Sequence, residues 1–482
     1  MTRTSSALNV ARRRSDLLRA ADEIVDVLVV GGGITGAGVA LDAAARGLTV
    51  TLVEAEDLAF GTSRFSSKLV HGGLRYLATG DVATAKESAI ERHLLMTTIA
   101  PHLIRPLGQL LPFARGVDTR QRLAGAAGMG LGDLLRMRAR TPRAVLPPPR
   151  LVSAATAHRL VPALDPLGLH GGMLSFDGQL ADDARLVVAV ARTAAGLGAR
   201  ILTRTRALAL RPDGATVEDT TRGERFEIRA RAVINATGVW AGTLDQAIAV
   251  RPSRGTHIVL DAADLGGPTA ALTIPQEGSI SRYVFALPQE HDRVIVGLTD
   301  DDAPGPVPRV AEPTEDEIAF LLASLARVIA APIGRSQVRG AFAGLRPLVD
   351  SGADASSDVS RRHLVTASAG FVSVLGGKLT TYRRMAEDAV DLAASTRGLD
   401  APPSPTASLR LVDRGSPTSA DVLDERTGLA RGDVELAVRV EGAMSADDVL
   451  DRRTRIGLAD EDRRRCAGIV ARVVSETLAE LG

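Results

Sequence analysis

Residues 26–54 read DVLVVGGGITGAGVALDAAARGLTVTLVE. Asp26–Val30 is a short apolar run rich in β-branched residues and followed by glycines, the pattern of a buried parallel strand. Gly36–Arg46 is rich in alanine and favours a helix, and Leu48–Glu54 reads as the next strand, so the stretch is a βαβ unit. Between strand and helix, Gly31-Gly32-Gly33-Ile34-Thr35-Gly36 satisfies G-x-G-x-x-G. Gly31 permits a tight turn, Gly33 lets a pyrophosphate approach the backbone, and Gly36 lets helix and strand pack closely. The helix start, Ile34-Thr35, supplies N–H groups and a positive dipole end. Glu54, at the end of the second strand, can accept hydrogen bonds from a ribose. The bare glycine pattern is common; the strand before it, the helix after it and the acid beyond make it a dinucleotide turn. A second glycine-rich piece, GAAGMGLGD at 125–133, follows no strand and reads as loop, which leaves one dinucleotide. The residues alone do not decide between NAD and FAD.

At 482 residues the chain is long enough for two or three domains. Its 45% hydrophobic and 24% charged composition is that of a soluble globular protein. The one cysteine, Cys466, excludes an intrachain disulfide and a cysteine metal cage, and fits a reducing compartment. A formal net charge of +1 gives no basic field for nucleic acid. No apolar run approaches the roughly 18–20 residues of a membrane-spanning helix, and the basic N-terminal stretch lacks the apolar core of a secretory signal. A cytoplasmic protein is expected. No His/Asp/Glu cluster at ligand spacing points to a metal.

Residues 1–20 read as a poorly ordered or short helical lead. A nucleotide-binding part spans 21–105, an insertion 106–149, a second nucleotide-binding part 150–249, a substrate (cap) domain 250–339, a last nucleotide-binding part 340–400, and a helical domain 401–482. Within these, Ala181–Gly198 is helical by periodicity, and Arg200–Leu210 and Thr216–Ile228 are strand-like. Arg231–Ala236 is a strand that ends at Thr237-Gly238. HIVL, YVFAL and RVIVGLTD, within 250–300, alternate like antiparallel strands. Thr314 and Glu317 have the spacing of a capping box that starts a helix running to about Ala331. Gly340–Leu348 is extended, His363–Thr366 is a strand, and Gly376-Gly377 is a turn feeding a helix over about 380–396. APPSPTAS at 401–408 is a linker.

GTSRFSSKLVHGGLRYL at 61–77 places Lys68, one of three lysines in the chain, beside Arg64, His71 and Arg75 amid glycines and hydroxyls. Basic side chains with exposed backbone N–H groups suit an anion. Thr62, Ser63, Ser66 and Ser67 offer small positions where a loop could run along a cofactor. Glycine inside HGG costs stability unless a close approach requires it.

These stretches, GGGITGAG, LVEAEDLAFGTS and SSKLVHGGLRYL, resemble the N-terminal signature of FAD-dependent glycerol-3-phosphate dehydrogenases. The resemblance continues through FDGQLADDARL (176–186), INATGVW (234–240), VRPSRGTHIVL (250–260), AGLRPL (343–348), LGGKLTTYRRMAED (375–388) and DDVLDRRTRIGL (447–458). It departs at Arg64-Phe65, a bulkier pair than the family's GTSSRSSK pattern. The fold it implies is α/β: a Rossmann-like FAD-binding domain of the two-dinucleotide-binding type, an inserted antiparallel substrate domain and a small C-terminal helical domain. The cofactor implied is FAD, held by Gly31, Gly33, Ile34, Thr35, Gly36, Glu54, Thr62, Ser63, Ser67, Lys68, His71, Gly72, Gly73, Ala236, Thr237, Gly238, Gly376, Gly377, Lys378, Leu379 and Thr380.

The activity implied is oxidation of sn-glycerol 3-phosphate to dihydroxyacetone phosphate, with the C2 hydrogen leaving as hydride to flavin N5. Arginine forks match phosphate oxygens. Arg75 and Arg346, framed by glycine and apolar residues, are the expected phosphate contacts, with Lys378 and Tyr76 assisting. GGKLTTY is not a P-loop: Val372 stands where glycine is needed and Leu379 where Ser/Thr is needed. Instead Gly376-Gly377 can turn N–H groups toward the flavin edge that becomes negative. Of eight histidines, His257 and His71 are the candidate bases, with His257 preferred and Lys378 or water as alternatives.

Implied partners are glycerol 3-phosphate, a membrane quinone, peripheral contact with the inner face of the plasma membrane and a possible homodimer. Residues 119–143, basic with interleaved Leu and Met, can lie at an interface or form an ordinary amphipathic helix. Rival readings are an oxidase that passes electrons to oxygen, an FAD enzyme for an amino acid or amine, and a non-catalytic FAD-binding protein.

Overall fold

The computed structural model describes residues 5–73, 81–349 and 363–482. Arg75 and Tyr76 lie outside the described residues. Strands and helices are numbered along the chain.

β1 (Ile24–Val30) lies between β2 (Val50–Val53) and β10 (Glu224–Asn235), parallel to both. β7 (Arg200–Leu202) extends the parallel sheet beyond β2, and β18 (Phe371–Gly376) extends it beyond β10. Antiparallel strands finish it: β17 (His363–Ser368) pairs with β18, and the hairpin β8 (Thr205–Arg211) and β9 (Gly214–Asp219) pairs with β10. Val27, Val29, Leu52 and Ile234 are fully buried, as strands covered on both faces must be. Helix α2 (Ile34–Ala45) returns over this sheet, packed against α5 (Asp183–Gly196) and α7 (Tyr382–Arg397). A Cβ on Gly36 would stand 1.9 Å from the Gly31 carbonyl oxygen, so this turn closes only with glycine there.

From Val10 onward the lead that precedes β1 is helical. Helix α1 (Val10–Asp22) is capped by Asn9, whose side chain accepts from the Arg12 amide. Arg13 reaches through to Asp219 at 2.8 Å and is 9% exposed. The first domain therefore begins well before residue 21.

The second sheet departs further from the expected boundaries. It orders β15 (Asp301–Asp302), β11 (Val250–Asp261), β14 (Arg293–Gly297), β13 (Tyr283–Pro288), β12 (Ala271–Pro275), β4 (Ile104–Pro112), β6 (Gly172–Leu180) and β3 (Leu69–Val70). β5 (Arg150–Val152) joins β6, and β16 (Gly340–Val349) joins β11 over its whole length. Its strands thus come from segments assigned to the nucleotide-binding part (69–70, 104–105, 150–180, 340–349) and from the insertion as well as from 250–339. The reason is register: β4 and β6 pair from Ile104–Leu180 to Pro112–Gly172, a contact between segments separated by 60 or more residues that no local pattern announces. Helix α6 (Glu315–Ala326) covers this sheet with Ile318, Leu321 and Leu325. Its capping box of Thr314 and Glu317 forms, and it ends at Ala326 rather than Ala331.

Residues 125–133, expected as loop, lie inside helix α4 (Thr119–Arg138). Asp118 and Gln121 form a capping box, and the Gln121 amide also donates to the carbonyls of Gln276 and Ser279. Gly125 is where the helix approaches the sheet closely: a Cβ there would stand 2.3 Å from the Leu111 side chain, whereas one on Gly128 or Gly130 would meet nothing within 4 Å. Helix α3 (Val82–Leu94) packs on α4 and, through Glu91, holds Arg383 of α7.

The 401–408 segment is also fastened. Thr406 Oγ1 meets the buried Asp42 of α2 at 3.2 Å, and Ser404 reaches the same carboxylate. Beyond it, a hairpin of β19 (Val422–Asp424) and β20 (Leu429–Ala430) leads into α8 (Arg431–Arg439), α9 (Ala446–Arg452) and α10 (Asp460–Leu481), packed around Val434, Val449, Val470 and Cys466. Three of its arginines, Arg452, Arg453 and Arg455, are buried. Asp57, in the loop after β2, is 1% exposed and receives Arg452 at 2.7 Å and Arg453 at 2.9 and 3.0 Å. Burial alone would raise the Asp57 pKa, but the two guanidinium groups hold it at about 2.

Removing one partner of a buried pair strands the other. Arg453→Met is expected to cost about 3–5 kcal/mol and to lower the thermal midpoint by several degrees in scanning calorimetry. Combining it with Asp57→Asn should cost less than the two single losses added, because the groups share one site.

Candidate active site

A cavity of about 1470 Å³ lies where the two sheets meet. Of the sequence-expected residues, Gly31, Gly33, Ile34, Thr35, Glu54, Thr62, Ser63, Ser67, His71, Ala236, Thr237, Gly238, Gly376, Gly377, Lys378, Leu379 and Thr380 line it, together with His257 and Arg346. These positions span more than 340 residues of sequence, and the fold brings them to one surface.

One end is built for a dinucleotide. Gly31 turns in the left-handed region at φ 110° beneath the Ala236 carbonyl. Gly33 is the N-cap of α2, with no side chain of its own to cap the helix and no acidic residue in the first turn, so the positive end of the helix faces the cavity. Ser63 Oγ accepts from the Ile34 amide at 2.9 Å and ties the 61–68 loop to the turn. Glu54 accepts from the amides of Gly32 at 2.6 Å and Glu56 at 2.8 Å. Burial raises its pKa to about 7 against those hydrogen bonds, with Asp57 and Glu56 adding to the rise. A helix start with no cap from its own N-cap residue, a main-chain cradle that a Cβ would fill and a half-buried acid at the far strand fit the pyrophosphate and ribose of FAD.

The other end is cationic. Arg346, on β16, donates Nη1 to Ser253 Oγ at 3.1 Å and to Asp300 at 3.0 Å, and Nη2 to the Thr299 carbonyl at 3.1 Å. These contacts fix the guanidinium in one pose against the cavity. Lys378 follows the Gly376-Gly377 turn, with its ammonium on Ser88 Oγ of α3. His257, on β11, is 2% exposed; its ring stacks on Phe342 at 4.9 Å and 13°, and Nε2 meets Ser67 Oγ at 2.9 Å. Burial first, then Lys68 and Arg346, lower its pKa to about 3, with Asp183 opposing. At neutral pH the ring is uncharged.

Four expected cofactor contacts stand off the cavity. Lys68 adopts φ 55° and is 1% exposed, with its ammonium 3.3 Å from Asp183 and 5.3 Å from the Phe342 ring. It is a buried structural cation rather than a cofactor ligand. Gly36 lies beneath the turn. Gly72 donates its amide to Asp177 at 3.0 Å, and a Cβ there would strike the Arg92 guanidinium at 2.5 Å, which accounts for the glycine. The Gly73 amide bonds its neighbour His71 at 3.2 Å. The bulky Arg64-Phe65 pair turns inward: Arg64 lies over the Phe65 ring at 4.4 Å, and Phe65 lies on Phe342 at 5.8 Å.

Sequence reading missed the acids that position these groups. Asp300 orients Arg346, Asp177 anchors the HGG turn through the Gly72 amide and pairs with Arg92, and Asp183 anchors Ser66 and Lys68. Asp177 and Asp183 stand in FDGQLADDARL, so the signal was a pair of acids inside a recognised motif.

A family model for FAD dependent oxidoreductases matches residues 26–383. Glycerol-3-phosphate dehydrogenase 1 of Mycobacterium tuberculosis is 48% identical over 516 residues, covering 98% of this chain and 99% of that protein. Among solved structures, the glycerol-3-phosphate dehydrogenase from Bacillus halodurans complexed with FAD superposes with a TM-score of 0.73 at 24% identity, covering 98% of this chain and 96% of that one. The L-alpha-glycerophosphate oxidase from Mycoplasma pneumoniae with FAD bound gives 0.59 at 19%, covering 81% and 99%. The structural matches establish the shared fold. The family match and the near-full-length identity establish more: the chain belongs to the FAD-dependent oxidoreductases and, within them, to the glycerol-3-phosphate dehydrogenase family.

Proposed function

We propose that the chain oxidises sn-glycerol 3-phosphate to dihydroxyacetone phosphate and passes the electrons to a membrane quinone. The observation that carries the reading is the convergence of Arg346, Lys378 and a neutral His257 on the cavity that also holds the dinucleotide turn. FAD, when bound, supplies the two-electron acceptor for the hydrogen on C2. Arg346 grips the phosphate, its fork held in place by Asp300 and Ser253. Lys378, which lines the same cavity, adds a second cation. His257 takes the C2 hydroxyl proton by way of Ser67: the Ser67 hydroxyl gives its own proton to Nε2 and receives the one that leaves the substrate. The substrate's own charge helps this step: a phosphate dianion on Arg346 offsets one of the two cations that depress the imidazole.

The quinone part of the reading is supported by α4. Leu123, Leu131, Leu134 and Met137 are exposed on one side of the helix, with exposed Arg120, Arg138 and Arg140 around them. Leu131 and Met129 of the same helix also line the cavity, so an apolar acceptor on this surface would stand at its mouth. Among the described residues no helix is long and apolar enough to cross a membrane, so contact of this kind would be peripheral. The oxidase reading shares every residue named and differs in the acceptor; rapid air reoxidation of the reduced flavin would favour it.

Anaerobic titration with glycerol 3-phosphate should bleach the flavin, and Arg346→Ala should raise the concentration required by roughly 10- to 1000-fold. An unchanged requirement would remove Arg346 from the site. Leu123→Glu with Leu134→Glu should weaken co-sedimentation with anionic liposomes and slow reduction of a water-insoluble quinone, while a soluble dye is reduced as before.

The buried imidazole also predicts acid sensitivity. His257 has a folded pKa of about 3 against an ordinary 6.5. Between those values the unfolded chain holds a proton that the folded one excludes, so stability falls as pH drops, by about 1.4 kcal/mol per unit. Glu54 acts in the opposite sense between 4.5 and about 7. The comparison is therefore with His257→Asn, whose flavin-free unfolding should lose the dependence of one proton between about pH 4 and 6.5.

A further inference from the structure

The C-terminal helical domain touches the wall of the cavity without lining it. Arg455, just beyond α9, adopts φ 61° and is 8% exposed. Its Nη2 donates to the Arg64 carbonyl at 2.6 Å, and its guanidinium stands 3.5 Å from Asp182 and 3.6 Å from Asp183. Asp183 is fully buried and receives the Ser66 amide at 2.9 Å, the Ser66 hydroxyl at 2.7 Å and the Lys68 ammonium at 3.3 Å. Two buried carboxylates thus face two buried cations, one supplied by the 61–68 loop and the other by the tail. Ser67 lies between the two residues that Asp183 holds, and its hydroxyl meets His257 Nε2.

Lys68 sits in the left-handed region, which a bulky residue keeps only where its surroundings over-determine it. What over-determines it is the Asp183 pair. We propose that Asp183, clamped by Arg455, is a positioning residue for His257: the tail domain fixes residues 66–68 so that Ser67 Oγ stays on Nε2. The inference rests on the reading of His257 as the proton acceptor. Asp183, Lys68 and Arg455 do not line the cavity and touch neither substrate nor cofactor; they act through Ser67. The groups that set the charge around His257 are Lys68, Arg346 and Asp183. Lys68 and Arg455 hold the Asp183 carboxyl down at about 2 against its burial, while burial raises Asp182 and lowers Lys68 to about 8.

The test uses the full-length, flavin-loaded chain labelled with ¹⁵N-histidine, with the His257 signal identified by its loss in His257→Asn. Arg455→Met, Asp183→Asn and Ser67→Ala should each move the His257 signal in the same direction while the remaining histidines stay in place. The first two should slow anaerobic flavin reduction by roughly 10- to 100-fold, as for a small displacement relayed to the reacting group, with substrate affinity changed much less. Arg455→Lys should recover most of the rate. An unmoved His257 signal and wild-type reduction in Arg455→Met overturn the proposal. So does a rate loss in which all histidine signals move together or Arg455→Lys gives no rescue, since that is the mark of general loosening. If Arg455→Met does not fold, Asp183→Asn decides by the same two readouts. If the wild-type flavin is not reduced by glycerol 3-phosphate but the His257 signal still follows Arg455, the functional reading falls and the positioning stands.

Discussion

Among the described residues, the tightest approach that a glycine permits is between two stretches of main chain. Gly36 lies so near the Gly31 carbonyl that a single added carbon would overlap it at 1.9 Å. From that contact follows the angle at which α2 leaves the sheet, and hence the direction of its uncapped N-terminus. An uncapped helix start is a standing demand for an anion. Ser63 meets one of the amides, and the rest of the 61–68 loop is laid across the turn by that bond. The same loop carries Ser67 to His257 and Thr62 Oγ1 to the Leu345 carbonyl at 2.5 Å, next to Arg346. A turn that accommodates a pyrophosphate thus also sets where the second sheet presents its polar groups.

The second sheet is assembled from pieces because the cavity needs walls from both sides. β16 runs antiparallel to β11, with Arg346 opposite Ser253 and Phe342 opposite His257. This register puts the guanidinium and the imidazole on neighbouring strands, four residues apart along each. A shift of β16 by one residue would turn Arg346 and Phe342 to the other face, away from His257. The pairing therefore fixes the chemistry as much as the architecture. Three hydrogen bonds then hold Arg346 in one pose, and little conformational freedom remains to be lost when an anion binds.

What could be read in the sequence was local. The βαβ unit, the glycine turn, Glu54, the strands around His257 and the Thr314 capping box all show in runs of fewer than thirty residues, and each appears where expected. What could not be read was long-range pairing and the inward use of charge. Nothing in residues 104–112 indicates that they pair with 172–180, so the insertion and the domain limits were drawn too simply. Residues 125–133 look like loop because glycine is weak in helices; here Gly125 is the point at which a helix closes on Leu111. Lys68 stands amid glycines and hydroxyls that suit a bound anion, but its left-handed backbone turns it onto Asp183. The Arg- and Asp-rich tail has the composition of a solvated surface, yet Arg452 and Arg453 are among its most enclosed residues.

That inward charge bears on how a base can exist in this cavity. Burying an ion pair is seldom favourable compared with packing apolar groups, so networks such as Asp57 with Arg452 and Arg453, or Asp183 with Lys68 and Arg455, are poor explanations of stability by themselves. They do supply fixed charge at fixed places. Lys68 stands on one side of the Phe342–His257 stack and Arg346 lines the cavity beside it, and with burial both act to keep the imidazole unprotonated. A ring that never carries a proton at neutral pH is always ready to accept one, but it is a weak acceptor while both cations bear on it. On the proposed reading, the anion that ligates Arg346 removes part of that bias when it binds. The base would then strengthen only with a phosphorylated alcohol in place, and an uncharged alcohol of the same shape would meet the same residues with the wrong electrostatics. Selectivity for the phosphate would lie in the proton transfer as well as in the grip of the guanidinium.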